Sequence, residues 1–243
     1  MTDTGAARYG QTWAPIYDEV YGALDPTAAV AALYELAAGG AALELGIGTG
    51  RVAIPLAARG IAVHGIDASP AMLARLRDKP GGEAIPVTLG DFQEVAVDGQ
   101  YAVVYVVFNT MFGLPTQDAQ VACFRNVAAR LAPGGAFVIE AYVPDPTRFD
   151  RGQRVQAVRI GAERVELEVS RHDPVAQRVT SQSVVLGGGG VTLYPVEVRY
   201  AWPSELDLMA RLAGLRLRER WGDWHRRPFT ASAAAHVSIY ERA

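Results

Sequence analysis

Glu44-Leu45-Gly46-Ile47-Gly48-Thr49-Gly50 is the stretch on which the reading of this chain turns: an apolar run enters three alternate glycines, and a helical pattern begins near Arg51. Glycines at such a strand-to-helix turn let bare backbone approach a ligand. Alone the pattern is ambiguous. Gly48, Gly50 and Ala53 fit the G-x-G-x-x-A form of a dinucleotide fingerprint, and Asp67 stands about 20 residues on, where a ribose-binding acid belongs.

Outward from this turn, short apolar runs at 42–45, 62–66, 86–89, 102–108 and 136–141 read as strands, and the segments between them largely as helices. That alternation predicts a parallel sheet with helices on both faces. Before the fifth strand, Val121, Phe124, Val127, Ala128 and Leu131 fall on one helical face, and Pro133-Gly134-Gly135 stops the helix. From Pro144 the pattern changes, and 154–160, 164–170, 178–186 and 191–200 read as consecutive antiparallel strands, with Gly187 to Gly190 supplying a hairpin turn. Seven arginines lie between Arg148 and Arg178, but six acids from Asp145 to Asp173 accompany them, which describes a solvated strand face better than an anion site. Pro203 opens a helix over 204–213, Gly214 closes it, and strands near 215–220 and 236–241 complete the chain. The four-strand region reads as an insertion, since the last helix and strands can rejoin the first sheet.

Four further features accompany the glycines. Glu44 ends the first strand, where a carboxylate can accept from a ligand ammonium group and would repel a pyrophosphate. Asp67 ends the second, where two oxygens can bridge the vicinal hydroxyls of a ribose. Gly90-Asp91-Phe92 ends the third, offering an acceptor for an adenine amino group and a ring or amide for the purine edge. Asn109 ends the fourth, beside Phe108. Each polar residue singly could be a cap or a turn former. Together they lie on the C-terminal edge of the sheet, where open α/β folds bind ligands, and they point to a shared adenosine-containing ligand.

With these residues in view, the chain resembles the class I S-adenosylmethionine-dependent methyltransferases. The likeness rests on ELGIGTG at 44–50, HGIDAS at 64–69, LGDF at 89–92 and APGG at 132–135, and it covers nearly the whole sequence. It implies a Rossmann-like, doubly wound α/β sheet of seven strands: five parallel, then a helix and an antiparallel C-terminal hairpin, with an antiparallel β insertion after strand 5. It also implies that Glu44, Gly46, Gly48 and Gly50 hold the methionine part of S-adenosylmethionine, Asp67 the ribose, Met72 the adenosine flank, and Asp91 with Phe92 the adenine, with Ala68 also at the cofactor. Asn109 completes the cofactor set. Within the family the chain is similar to small-molecule methyltransferases of natural-product pathways, especially amino-sugar N-methyltransferases. Tyr9-Gly10 with Ala14-Pro15-Ile16-Tyr17-Asp18, the segment 170–180, and the stretch from Arg199-Tyr200 to Gly214-Leu215 carry this closer likeness. Tyr9 and Tyr17 match lid tyrosines there, Tyr9 near the sulfonium and Tyr17 at the cofactor. The amino-sugar enzymes carry a histidine just after the fourth strand, whereas here Met111, Phe112 and Leu114 occupy that segment. The departure points to a more apolar or aromatic acceptor.

The expected organisation is one domain over 1–243, with a helical lid over 1–38 and a β insertion over 145–200 that forms a substrate cover or a dimer surface. Methyl transfer from a sulfonium is an in-line displacement, so the protein chiefly aligns the nucleophile and excludes water. A base is needed for a hydroxyl or carbon acid, less so for a neutral amine. Candidate catalytic residues are Tyr9, Tyr142 just past the fifth strand, and His172, whose setting Arg171-His172-Asp173-Pro174 also reads as a plain turn. His225 sits in Trp221-Gly222-Asp223-Trp224-His225-Arg226-Arg227, a pocket wall or a surface loop; His64 and His236 read as structural. The expected function is methylation of nitrogen or oxygen in a small natural-product-like acceptor. The alternatives are a cyclase-type enzyme or a non-catalytic cofactor-binding module on the same fold.

Composition agrees with an ordinary globular protein. The 243 residues are 50% hydrophobic and 20% charged, with a net charge of −3. No apolar run approaches the roughly 20 residues of a membrane span, and no signal-peptide profile is evident, so a cytoplasmic location is expected. The lone cysteine, Cys123, permits neither a disulfide framework nor a cysteine metal site, and no metal is expected. The balanced charge argues against nucleic acid as a partner. A homodimer is compatible with every reading.

Overall fold

The computed structural model describes residues 5–243, so the first four positions of the expected 1–38 lid lie outside the described residues. Three helices open the chain, α1 (Gly5–Trp13), α2 (Tyr17–Tyr21) and α3 (Thr27–Ala37). Then follow β1 (Ala42–Leu45), α4 (Ala53–Ala58), β2 (Val63–Asp67), α5 (Pro70–Arg77), β3 (Val87–Leu89), β4 (Tyr101–Val106), α6 (Gln117–Arg130) and β5 (Leu131–Tyr142). Four strands, β6 (Gln153–Ile160), β7 (Arg164–Asp173), β8 (Arg178–Gly187) and β9 (Gly190–Arg199), precede α7 (Pro203–Leu212), β10 (Leu215–Trp221) and β11 (Ala235–Arg242).

The main sheet has seven strands in the order β10-β11-β5-β4-β1-β2-β3, and only β11 runs against the rest, since β10 is antiparallel to β11 and so points the same way as β5. The fold expected from the sequence is therefore the one observed. β1, central and flanked by β2 and β4, is buried at all four positions, which is why it reads as an unbroken apolar run. α3, α4 and α5 cover one face, where Leu33, Leu56 and Leu76 pack with Tyr105 and Ile239. α6 and α7 cover the other, where Phe124, Leu206 and Met209 pack with Phe137 and Tyr240. Only α1 and α2 of the N-terminal segment stand over the edge of the sheet; α3 is a core layer.

Three boundaries differ from the sequence reading. β4 ends at Val106, two residues early, because Phe108 and Asn109 both adopt left-handed backbone angles. β5 begins at Leu131, which pairs with Tyr101 ahead of a bulge, before regular pairing resumes at Ala136 and Val103. β7 runs on to Asp173, so His172 lies in a strand and pairs with Val179. β6 to β9 form a separate four-stranded antiparallel sheet, with Gly188-Gly189 turning the last hairpin. Among the described residues, no helix is long and apolar enough to cross a membrane.

Candidate active site

The glycine turn and Asp67 are built as one unit. Gly48 has φ +56, and the space a Cβ would occupy there is open, so its backbone is bare on the side from which a ligand approaches. Its amide donates to Asp67 Oδ2 at 2.8 Å, and the Ser69 amide donates to Asp67 Oδ1 at 2.9 Å. Burial pushes the Asp67 carboxyl up, and the amides of Ser69, Gly48 and Ala68 counter it. Each oxygen has accepted one amide, and each keeps capacity for a further donor such as a hydroxyl.

Glu44, 2% exposed, accepts from the Tyr105 hydroxyl at 3.0 Å. Burial pushes its carboxyl from the ordinary 4.5 up to about 8, opposed by the Tyr105 hydrogen bond and the charge of Arg51. Between those values the folded chain holds a proton that the unfolded chain releases, so stability falls as pH rises, on the order of 1 kcal/mol per pH unit. Glu44→Gln is expected to remove that slope. Denaturant unfolding at pH 5 and pH 8 checks this, and an unchanged slope would contradict it.

α1 and α2 are fastened over this unit. Asp18 Oδ1 accepts from Thr49 Oγ1 at 2.7 Å and from Lys79 Nζ at 2.7 Å, and Lys79 also donates to the Thr49 carbonyl at 2.9 Å. Gly10 lies so close to α5 that a Cβ would come within 2.1 Å of Ser69 Oγ. Trp13, buried among Tyr9, Tyr21 and Tyr194, donates to the Pro195 carbonyl of β9 at 3.2 Å, so α1 is gripped by the domain and the insertion together. Tyr17, Glu44, Gly48, Arg51, Phe108 and Thr110 are among the residues that line a cavity of about 30 Å³, room for roughly one water.

The remaining residues singled out in the sequence fall as follows. Tyr9 and Tyr17 are mostly buried; burial pushes both phenols up, Tyr17 to about 12. Met72 packs with Trp13 under the lid, and its amide is capped by Ser69 Oγ. Asp91 Oδ1 accepts from the Gln93 amide at 2.8 Å in a local turn, and Phe92 is 7% exposed and joins the core. Asn109 Oδ1 accepts from the Tyr142 amide at 2.7 Å, while Glu140 Oε2 accepts from the Phe108 amide at 2.8 Å. Those two bonds hold consecutive left-handed residues at the end of β4, the kind of strain that clusters at functional sites. The Tyr142 ring meets Phe112 edge-on at 5.0 Å, and burial pushes its phenol up.

His172 is not brought to this cavity. Its ring stacks on Phe149 at 4.6 Å, and Nε2 hydrogen-bonds the Tyr200 hydroxyl at 2.9 Å. Met111, Phe112 and Leu114 are core residues, at most 2% exposed, rather than an open apolar wall. His225 is exposed on a surface loop. The sequence reading gave no site role to Arg51, Thr49 or Lys79. Arg51 follows the last glycine directly, and Lys79 is the one lysine among 23 basic residues, which are the signals that could have found them.

This arrangement, a glycine turn with buried acids at the ends of two adjacent strands and no cationic clamp for a phosphate in the cavity beyond Arg51, fits a phosphate-free adenosine ligand with an ammonium group. The comparisons agree. Residues 42–135 match the family model described as a methyltransferase domain. The chain is 30% identical to cypemycin N-terminal methyltransferase of a Streptomyces species over 240 residues, covering 96% of this chain and 97% of that one. The chain belongs to the class I S-adenosylmethionine-dependent methyltransferases. Among solved structures it is similar over its full length to the CcbJ methyltransferase from Streptomyces caelestis, with 43% identity, a TM-score of 0.89, and 97% and 98% of the two chains covered. The S-adenosylmethionine-bound amino pentose methyltransferase CalS10 from Micromonospora echinaspora shares the fold at 22% identity, a TM-score of 0.70, and 94% and 97% coverage.

Proposed function

We propose that the chain methylates a nitrogen of a small, natural-product-like amine, with S-adenosylhomocysteine as the other product. One observation carries the choice of nitrogen: none of the candidate catalytic residues, Tyr9, Tyr142 and His172, lines the cavity as a base, and Glu44, the one carboxylate that lines it, is buried against the Tyr105 hydroxyl. The phenols of Tyr9, Tyr17 and Tyr142 are all pushed up by burial, so at neutral pH they are protonated and can only donate or orient. No histidine lines the cavity, and His172 is engaged by Tyr200 and Phe149. An amine attacks through its own lone pair and then releases its proton to water, whereas an aliphatic hydroxyl needs help. The name of the cypemycin N-terminal methyltransferase points the same way. Glu166 and Glu168, on the inner face of the insertion, lie near enough to Tyr21 to raise its phenol behind burial itself, and their charge suits an approaching ammonium.

Bound S-adenosylmethionine supplies an electrophilic methyl group on a sulfonium. In this reading Glu44 and the backbone of Gly46, Gly48 and Gly50 hold its methionine end, Asp67 and Ala68 the ribose, and Met72, Asp91 and Phe92 the adenine side. Tyr9 and Tyr17 close over it and exclude water, while Asn109 fixes the end of β4 beneath the acceptor. The α1–α2 segment acts as the lid, and residues 145–200 cover the acceptor. Incubation with methyl-labelled cofactor and a set of small amino alcohols tests this. Tandem mass spectrometry is expected to place the label on nitrogen; label on oxygen alone would overturn the proposal.

A further inference from the structure

Among the described residues, Arg51 is the one cation that lines the cavity, and its guanidinium takes part in no hydrogen bond or ion pair there. It lies instead over the Phe108 ring, its central carbon 5.3 Å from the ring centroid, within the range of a cation–π contact. Glu44 lines the same cavity but is engaged by the Tyr105 hydroxyl and the Ala53 amide, so Arg51 reaches it only as a charge that opposes the upward push of burial. Lys79, a second cation beside the glycine turn, is committed to Asp18 and the Thr49 carbonyl. Phe108 is fixed from three sides. Its backbone is left-handed at φ +55 and its amide donates to Glu140 Oε2 at 2.8 Å. Its ring meets Tyr21 of α2 edge-on at 5.2 Å, and it packs against the core layer under α3 to α5. A bulky side chain is strained in that backbone region, and such strain persists where a site uses it. Here it sets the ring as the platform for Arg51.

We propose that Arg51 is a cofactor-specificity residue: held on the Phe108 ring, its guanidinium receives the carboxylate of the cofactor's amino-acid end, so the site selects S-adenosylmethionine and S-adenosylhomocysteine over their decarboxylated forms. This rests on the seating of the methionine end by Glu44 and the glycine turn proposed above. That end is a zwitterion, and the cavity offers one carboxyl and one guanidinium to match it. A guanidinium presents a planar fork that fits a carboxylate through two parallel bonds, which neither a backbone amide nor an ammonium group does. An aromatic partner holds a guanidinium without using its N–H donors, so those of Arg51 stay available to the ligand. Phe108 acts on the ligand only through Arg51 and is a positioning residue.

Titration calorimetry of the full chain with S-adenosylhomocysteine and with decarboxylated S-adenosylhomocysteine tests the proposal without turnover. The wild type is expected to prefer the carboxylated ligand by about 10- to 100-fold, the range of a charge-assisted pair. Arg51→Met is expected to remove that preference, weakening S-adenosylhomocysteine by the same factor and leaving the decarboxylated ligand unchanged. Arg51→Lys should restore part of the preference, and Phe108→Leu should reduce it severalfold with Arg51 in place. Arg51→Met removes no bond within the described chain, so its melting temperature should match that of wild type. An equal loss for both ligands in Arg51→Met would show that the side chain only shapes the turn, and an unchanged preference would show that the carboxylate sits elsewhere; either result overturns the proposal. Glu44→Gln separates the proposal from the seating on which it rests. Weaker binding of both ligands, which share the ammonium group, supports the seating, and a failure of Arg51→Met then counts against Arg51 alone. Unchanged binding of both would overturn the seating and the proposal together.

Discussion

Arg199→Met is expected to cost about 2–3 kcal/mol of stability, because it removes the hydrogen bonds of a buried guanidinium and the ionic partner of the half-buried Glu205. Arg199, 6% exposed at the end of β9, donates to Gln120 Oε1 at 2.6 Å, to Glu205 Oε1 at 2.6 Å and to Gln177 Oε1 at 3.2 Å. Gln177 and Gln117 each donate to Glu205 at 2.8 Å, and Gln120 returns a bond to the Arg199 carbonyl at 2.9 Å. Burial pushes the Glu205 carboxyl up, yet the hydrogen bonds from Arg199, Gln177 and Gln117 outweigh it and hold the group below its ordinary range. This network joins the insertion to α6 and α7, so its loss is felt globally. For a chain of this size the melting temperature should fall by on the order of 10 °C. Adding Glu205→Leu should recover most of the loss, since removing both charges spares the desolvation of the survivor. A single variant within about 1 kcal/mol of wild type in calorimetry would show that the network is not what joins the insertion to the domain.

Asp67→Ala is expected to weaken cofactor binding by a factor of about 100 to 1,000, roughly 3–4 kcal/mol. The carboxylate serves two purposes in this structure. It fixes the amides of Gly48 and Ser69 at 2.8 and 2.9 Å, and its remaining acceptor capacity is the proposed seat of the ribose hydroxyls. Charge-assisted bonds of this kind are about twice as strong as neutral ones, so the glycine turn loses its shape along with the ligand contact. Asp67→Asn keeps one acceptor oxygen and should lose less. Titration calorimetry with S-adenosylhomocysteine measures both, and equal affinity in Asp67→Ala and wild type would remove Asp67 from the site.

Much of this was legible in the sequence because the relevant signals are local. A buried parallel strand is an apolar run, and β1 to β5 announce themselves that way; the polar residue that ends each run marks the ligand edge of the sheet. The antiparallel insertion was legible from its alternation and its glycine hairpin. Alternation, however, gives the period and not the direction. That the polar face of β7 and β8 turns inward and the valine and leucine face outward follows only from Tyr194 and Val196 meeting Trp13, a contact across some 180 residues of chain. The clasp of Asp18, Thr49 and Lys79 is hidden for the same reason. His172 read as part of a turn because Asp173-Pro174 follows it, but pairing with β8 carries the strand past it. The left-handed Phe108 was unreadable, since Phe carries no preference for that region and the bond to Glu140 imposes it, whereas Asn109 is of a type that visits that region readily.

The account stands or falls on a transfer that uses no protein base, and the pH dependence of single-turnover methylation of simple amines tests this most directly. With amines of different basicity, the rate should rise with pH up to the pKa of each amine and then level off. Tyr9→Phe and Tyr142→Phe should alter the height of that profile but not its midpoint, and His172→Gln and Glu44→Gln should likewise leave the midpoint unchanged. A midpoint that stays fixed as the amine changes, and disappears in one of those variants, would identify a catalytic base and contradict the account.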